Sequence, residues 1–455
     1  MDLYTKAFQK LFFPLYETVL RQRKTLLYYR QANQRQWWSK KEVQVFQWNE
    51  LQQLLKHAYE NCKYFRKVFQ DRKITPADIK TYEDFHQLPI IDKQDIRDNI
   101  DDMVADNYRD KVIYKSTGGS TGVPLRLAHD SNSYQYRVAI ALRGYSWANC
   151  EDGQNVVYIW GVPVGNISKF KKMKMSLHST LQGKHVINSF EFTPQKMDEC
   201  ISVINRKKPK GIVAYTTPLY NLCLYIKKNN KSVRPVESII TAAERVYDFQ
   251  REVIEDVFQG EVFNSYGCRE VMLIGMECEK HEGLHLQNDN LYVEVLKEGK
   301  PAAPGETGEI VITDLHNYGM PFIRYRNGDL AVVGKESCSC GRGLPLIQNV
   351  TGRALDTIQT RDGRIIPGEF FPHLMKEFEE VDRFQVVQTS IEQIKINIVK
   401  KKEFAEDKFR ILKEEITKVV GMSTEVVYEF VESIPLTSTG KYRVTISEVP
   451  VSFGN

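Results

Sequence analysis

The sequence is short of the residues that mark unusual proteins. Its 8 cysteines in 455 residues are too few for a disulfide framework, so a reducing, cytoplasmic setting is expected. Its 27 glycines and 17 prolines exclude a collagen-like or low-complexity chain. No run of about 18 apolar residues is available to span a bilayer. The apolar run nearest the amino terminus, Leu11-Phe12-Phe13-Pro14-Leu15-Tyr16, sits between Lys10 and Glu17 and does not resemble a signal peptide. Excess charge is also missing. With 63 Lys+Arg against 58 Asp+Glu the net is +5, and no basic tract reaches five residues, so nucleic acid is not an expected partner.

What remains is an ordinary globular chain, 42% hydrophobic and 27% charged, long enough for two or three domains at roughly 150 residues each. Residues 1 to about 75 read as helical, because Leu11, Leu15 and Val19, then Leu51, Leu54, Leu55 and Ala58, recur at three- and four-residue intervals. The first 48 residues are aromatic and basic. Such a face suits either packing against the rest of the chain or an anionic membrane surface.

From residue 110 strand and helix alternate. Asn155 to Trp160, Gly211 to Tyr215, Ser238 to Ala242 and Glu261 to Asn264 are strand-like, with helical segments Pro194 to Lys207, Pro218 to Asn229 and Arg245 to Phe258 between them. This predicts α/β layers around a largely parallel sheet. After about 285 the texture becomes β-rich, with antiparallel strands expected at Leu291 to Leu296 and Glu309 to Thr313. The last hundred residues read as a compact α+β domain: a hairpin from Asp356 to Ile366, a helix from Glu369 to Glu379, two strands, a helix from Phe404 to Val420, a strand, a polar loop and a final strand. No internal repeat is present.

Ser116-Thr117-Gly118-Gly119-Ser120-Thr121-Gly122 follows the strand-like Lys111 to Lys115. Three glycines and four hydroxyls in seven positions give a backbone free to curl and donors that converge on an anion, although a surface turn has the same composition. It is not a Walker A loop, since no Gly-Lys-Ser/Thr follows, and Gly440-Lys441 has Pro435 where the leading glycine belongs.

This loop resembles the Ser/Thr/Gly-rich loop of the adenylate-forming superfamily of acyl-CoA synthetases, luciferases and nonribosomal peptide adenylation domains. Four further resemblances follow in the family's order: Tyr266-Gly267-Cys268-Arg269-Glu270 to Tyr-Gly-x-x-Glu, Tyr325-Arg326-Asn327-Gly328-Asp329-Leu330 to Tyr-Arg-x-Gly-Asp-Leu, Gly352-Arg353-Ala354-Leu355-Asp356 to the hinge motif Gly-Arg-x-Asp-Asp, and Pro435 to Lys441 to the terminal Pro-x-x-x-x-Gly-Lys loop. The segment Leu88 to Asn99, with Gly283-Leu284-His285 and Cys338 to Arg342, is most similar to the phenylacetate-CoA ligase branch and its CapK-type capsule-biosynthesis relatives.

The resemblance implies a large multi-layer adenylation domain with mixed sheets over 1–350, containing a β-rich unit at about 275–345, and a small mobile α+β domain over 351–455. It implies an ATP- and Mg2+-dependent ligase that adenylates a small-molecule carboxylic acid and passes the acyl group to CoA, or to an amine or sugar in polysaccharide assembly. Ser116 to Gly122 would hold the β- and γ-phosphates, and Glu270 the Mg2+. Tyr266 and Gly267 would lie at the adenine, with Ala242, Ala243, Glu244, Asn264 and Ser265 along the base. Asp329 would accept from the ribose hydroxyls, Arg353 would contact ribose or phosphate, and Lys441 would reach the α-phosphate and the carboxylate. Taken singly, Glu270 and Asp329 would more often be solvated acids, Tyr266 a half-buried strand-end aromatic and Lys441 a surface lysine; their joint order reverses this. A nucleotide-binding scaffold is the reading from another class, and the joint presence of Glu270, Asp329 and Lys441 argues against it. Leu355 replaces the first hinge Asp, and Arg245 stands where relatives commonly have Pro.

Cys338-x-Cys340, with Cys278 and either His285 or His281, makes a Cys3His donor set suited to structural zinc, because four protein ligands leave no open position. His285 is preferred because related ligases carry His in the same Gly-x-His context.

Overall fold

The computed structural model describes residues 3–116, 125–161, 173, 179–189, 194–353, 357–361, 365–367, 370–375, 378, 380–435 and 443–449. Strands β1 (Val112–Ser116) and β2 (Arg126–Asp130) form an antiparallel hairpin. A second sheet holds twelve strands. One half is parallel: β3 (Val156–Trp160), β4 (Lys184–Asn188), β5 (Gly211–Tyr215), β6 (Ser238–Ala242) and β7 (Glu261–Cys268), in the order 7-6-5-3-4. The inner strands β3, β5 and β6 are apolar on both faces because both are covered. Alternate residues Val157, Ile159, Ile212, Ala214, Ile239 and Val262 pack in a core with helices Pro194–Lys207, Thr216–Lys228 and Asp248–Phe258. Val156, Val213, Ile240 and Phe263, on the opposite face, meet Tyr136, Ile140 and Trp147 of the helix Ser131–Trp147.

The other half is antiparallel: β8 (Met272–Glu277), β9 (Leu284–Leu286), β10 (Leu291–Lys297), β11 (Lys300–Pro301), β12 (Thr307–Asp314), β13 (Tyr325–Val333) and β14 (Leu346–Arg353). The β-rich unit expected at about 275–345 is therefore longer, from Met272 to Arg353, and shares a sheet with the parallel strands. The joint is β7. Its residues Glu261 to Asn264 pair in parallel with β6, and Ser265 to Cys268 pair antiparallel with β8. The expected strand ended at Asn264, since apolar patterning stops there; the backbone continues because β8 supplies partners for its hydrogen bonds.

Buried ion pairs fasten the helix Ser131–Trp147 across the seam. Arg143 and Asp289, both fully buried, make a bidentate pair at 2.9 and 2.7 Å, and Arg137 meets Asp314 at 2.5 Å. Removing one partner of such a pair costs about 3–5 kcal/mol, because the other charge is left buried and alone.

The carboxy-terminal unit is α+β, as expected. A hairpin of β15 (Thr357–Gln359) and β16 (Ile365–Pro367) precedes a four-stranded sheet in the order β19 (Glu425–Phe430), β18 (Gln393–Lys400), β17 (Val381–Gln388), β20 (Thr445–Ser447). Leu412, Ile416 and Val420 of the helix Glu406–Val420 cover Val386, Ile394, Ile396 and Ile398. The helix expected over Glu369 to Glu379 is observed as Phe370–Met375.

At the amino terminus Leu51, Leu54, Leu55 and Ala58 are buried on the helix Lys40–Asn61, whose start is fixed by a capping box of Ser39 and Glu42. Leu11, Leu15 and Val19 reverse the expectation. Their segment is helical, largely as wide π turns, but its buried residues are Thr5, Phe8, Phe13 and Glu17, and the periodic leucines face outward. Polar bonds decide the orientation: Thr5 donates to the Gly153 carbonyl at 3.1 Å, and Gln9 to Glu151 at 2.9 Å. The basic, aromatic amino terminus thus packs against the body through one face and leaves another exposed.

Candidate nucleotide site and metal cluster

The carboxyl ends of β5, β6 and β7 lie side by side, with Tyr215 opposite Ala242 and Thr241 opposite Asn264. Crevices in parallel sheets open along this edge, where strand order or direction changes. Trp160 and Tyr215 stand there with ring centroids 4.4 Å apart. Beyond β6, Ala243 adopts φ +66°, a left-handed conformation unusual for a residue with a Cβ. Thr216 Oγ1 donates to the Glu244 carbonyl at 3.0 Å, fastening that turn to the next helix.

Buried polar groups fix the motif strand. Ser265 Oγ donates to the Thr241 carbonyl at 2.7 Å, and the Asn264 N–H to Glu277 Oε2 at 2.8 Å. Burial alone would raise the Glu277 pKa, but His281, Arg251 and the Asn264 N–H outweigh it and hold the carboxyl below the usual range. Gly267 has no room for a Cβ, which would strike the Met272 carbonyl.

Two motifs meet at the seam. Tyr266 Oη donates to Asp329 Oδ2 at 2.7 Å; Asn327 Nδ2 reaches Tyr266 Oη at 2.7 Å and Asp329 Oδ2 at 2.8 Å. Burial, with the Asp329 carboxylate beside it, pushes the Tyr266 phenol well above its ordinary pKa, so it remains a donor. The buried Glu270 accepts from Tyr325 Oη at 3.0 Å. Arg353 is the backbone partner of Asp329 across β13 and β14. Tyr266, Asp329, Glu270, Asn264, Ser265, Gly267 and the Ala242–Glu244 turn thus cluster along one edge. Thr117, Gly118, Gly119, Ser120, Thr121, Gly122, Leu355 and Lys441 lie outside the described residues, as does the side chain of Arg353. Ser116 ends β1 opposite Arg126, so the Ser/Thr/Gly-rich loop joins adjacent strands of a hairpin.

Sequence reasoning missed the cations around the end of β1. Lys115 sits 4.3 Å over the Tyr134 ring, and burial, with Arg137 and Arg269 nearby, lowers its pKa to about 8. Burial next to Arg137 and Lys115 holds His129 neutral, down to about 3; neither ring nitrogen has a partner among the described residues. Asn327 lay inside a recognised motif, but nothing in its pattern named it as the bridge between Tyr266 and Asp329.

Away from this edge, Cys278, His285, Cys338 and Cys340 place their ligand atoms within 4.8 Å of one another. Cys278 and Cys338 sulfurs are 3.7 Å apart, and Cys340 Sγ is 3.4 Å from His285 Nε2. A tetrahedron with Zn–S bonds of about 2.3 Å has S···S edges of about 3.8 Å, so the set fits zinc. His285 Nδ1 lies 3.3 Å from the Leu344 carbonyl, the contact that turns Nε2 toward a metal, and burial keeps the imidazole neutral, down to about 4. His281 is turned to Glu277 at 3.1 Å and is not part of the set.

Residues 358–448 match the CapK C-terminal domain. Protein CapK of Staphylococcus aureus is 26% identical over 86% of this chain and 86% of its own. A phenylacetate-coenzyme A ligase of Thermus thermophilus is 24% identical over 85% and 86%. The chain is thus similar, over most of its length, to phenylacetate-CoA ligases and to CapK. The fold is similar to that of 2-hydroxyisobutyryl-CoA ligase in a postadenylation state, with a TM-score of 0.71, 17% identity, and 91% and 92% of the two chains covered.

Proposed function

We propose that the chain is an ATP-dependent, AMP-forming ligase that converts a carboxylic acid to an acyl- or aryl-adenylate and transfers the acyl group to CoA. The observation that carries this reading is the bond set of Tyr266, Asn327 and Asp329 at the sheet seam, close to Glu270 and its Tyr325 partner. In the first half-reaction a carboxylate oxygen attacks the α-phosphorus of ATP, the bond to the β-phosphate oxygen breaks and pyrophosphate leaves. In the second, the CoA sulfur attacks the acyl carbon, AMP leaves with the electrons of the C–O bond, and the thiol proton passes to water.

Charge develops on phosphate, so the site needs donors in place beforehand. Ser116 to Gly122 would hold the β- and γ-phosphates, with Lys115 behind them. Tyr266 and Gly267 would flank adenine, with Ala242, Ala243, Glu244, Asn264 and Ser265 along it. Asp329, oriented by two donors, would accept from ribose; Arg353 would contact ribose or phosphate, and Lys441 would bring a charge to the α-phosphate and the carboxylate. The Glu270 carboxylate is a hard oxygen donor that suits Mg2+, which when bound neutralises phosphate charge. Two domains, 1–350 and 351–455, are inferred, the second mobile and carrying the Lys441 loop. Zinc at Cys278, His285, Cys338 and Cys340 would have a structural role.

A second reading keeps adenylation and changes the acceptor to an amine or sugar in polysaccharide assembly. The match to the CapK C-terminal domain and Leu355 at the hinge favour it. Pyrophosphate release against a panel of acids tests adenylation, and adding CoA or amines then separates the acceptors. No acid-dependent release would refute both readings.

A further inference from the structure

We propose that residues 3–20 form an interfacial docking helix whose occupant is an anionic membrane surface. The inner face of this segment is committed to the body. Phe8 packs on Gly153 and stacks with Phe13 at 5.6 Å, Thr5 and Gln9 bond to the 151–153 turn, and Arg23 closes on the buried Glu17 at 3.1 Å. The outward direction of the other face is therefore set by packing. That face carries Leu11, Phe12, Leu15, Val19 and Leu20, exposed by 60, 53, 48, 61 and 70%. With Tyr4, six of the eighteen exposed large hydrophobics among the described residues fall in these eighteen positions. Scattered exposed leucines need no explanation, but a cluster on one helix face marks an interaction site.

Charge selects the occupant. Residues 1–41 hold nine Lys and Arg against Asp2 and Glu17, a net +7 in a chain whose total is +5. Lys6, Lys10, Arg21 and Lys24 are exposed around the apolar face. A second copy would set one such basic face against another, and like charges disfavour that contact. Anionic headgroups with acyl chains beneath complement both the basic rim and the apolar stripe. No helix among the described residues is long and apolar enough to cross a membrane, so the contact is interfacial.

The test is co-sedimentation of the full chain with phosphatidylcholine vesicles, with and without a third of phosphatidylserine. Binding is expected with the anionic vesicles, with a loss of roughly tenfold or more at 0.5 M salt, since screening shortens the reach of surface charge. The triple variant L11E/L15E/V19E, altered only at outward positions, should lose vesicle binding by at least about tenfold while keeping the wild-type melting temperature and pyrophosphate release. Absence of binding to anionic vesicles overturns the proposal, as does equal binding by the triple variant. A wild-type dimer in sedimentation velocity that the triple variant dissolves would also overturn it, assigning the face to a second copy.

Discussion

Tyr266 and Asp329, sixty-three residues apart in sequence, share a hydrogen bond of 2.7 Å at the junction of the two sheet halves. The parallel half delivers Tyr266 through β7, and the antiparallel half delivers Asp329 through β13. Formation of this bond requires both halves to be in place, so it reports on the integrity of the long sheet at the proposed nucleotide site.

Tyr266→Phe removes the donor and leaves Asn327 as the described partner of Asp329 Oδ2. The KM for ATP is expected to rise about tenfold with kcat nearly unchanged, the size of one hydrogen bond to a charged group. Asp329→Asn, which removes the acceptor charge, should weaken ATP more, by roughly a hundredfold. Pyrophosphate exchange at varied ATP checks both.

Glu270→Gln keeps the shape and the contact to Tyr325 but lowers the charge offered to a cation. Adenylation should fall by on the order of a hundredfold and need more Mg2+ for half-maximal rate. An unchanged Mg2+ activation curve would remove Glu270 from the metal's neighbourhood.

Lys115 gives a pH dependence. With its pKa lowered to about 8, first by burial and then by Arg137 and Arg269, it loses its charge as pH rises through that value. The KM for ATP should therefore climb above about pH 8 in the native protein and stay flatter in Lys115→Arg, which remains protonated. The sign for stability is separate. The unfolded chain holds the proton to higher pH, so this lysine costs stability below about 8, and the cost disappears as pH rises toward its ordinary value.

The Cys278, His285, Cys338 and Cys340 cluster should contain about one zinc per chain by elemental analysis. Cys340→Ser should lower Tm by on the order of 5 °C. It should also expose Arg35 to Trp38 to proteolysis, because Arg342, two residues on, bonds Gln36 at 3.1 Å and lies 4.8 Å from the Trp37 ring. A metal-free protein with native Tm would dismiss the site.

The legible part of the fold was local. Ile-Val-Ala after Gly211 and Ile-Ile-Thr after Ser238 name buried strands by composition, and β5 and β6 have the expected bounds. The edge strand β4, Lys-His-Val-Ile-Asn, lacks that signature because one side meets solvent. The helix Ser131–Trp147 is obscured by Arg137 and Arg143, whose charges are neutralised by Asp314 and Asp289, residues no local window includes. Motif order pointed to Tyr266, Glu270 and Asp329 but not to Asn327, whose bridging bonds exist only once β7 and β13 are in place. The Cys3His cluster was readable from residue types. The choice of His285 over His281 has its physical reason in β9 pairing with β14, which brings His285 opposite Leu346.

The most direct measurement is acid-dependent exchange of labelled pyrophosphate into ATP, comparing the native chain with Lys441→Ala. The account predicts exchange with at least one acid in the panel and a loss of roughly a hundredfold or more in the variant, as expected when a charge at the reacting phosphate is removed. Full exchange by Lys441→Ala would contradict it.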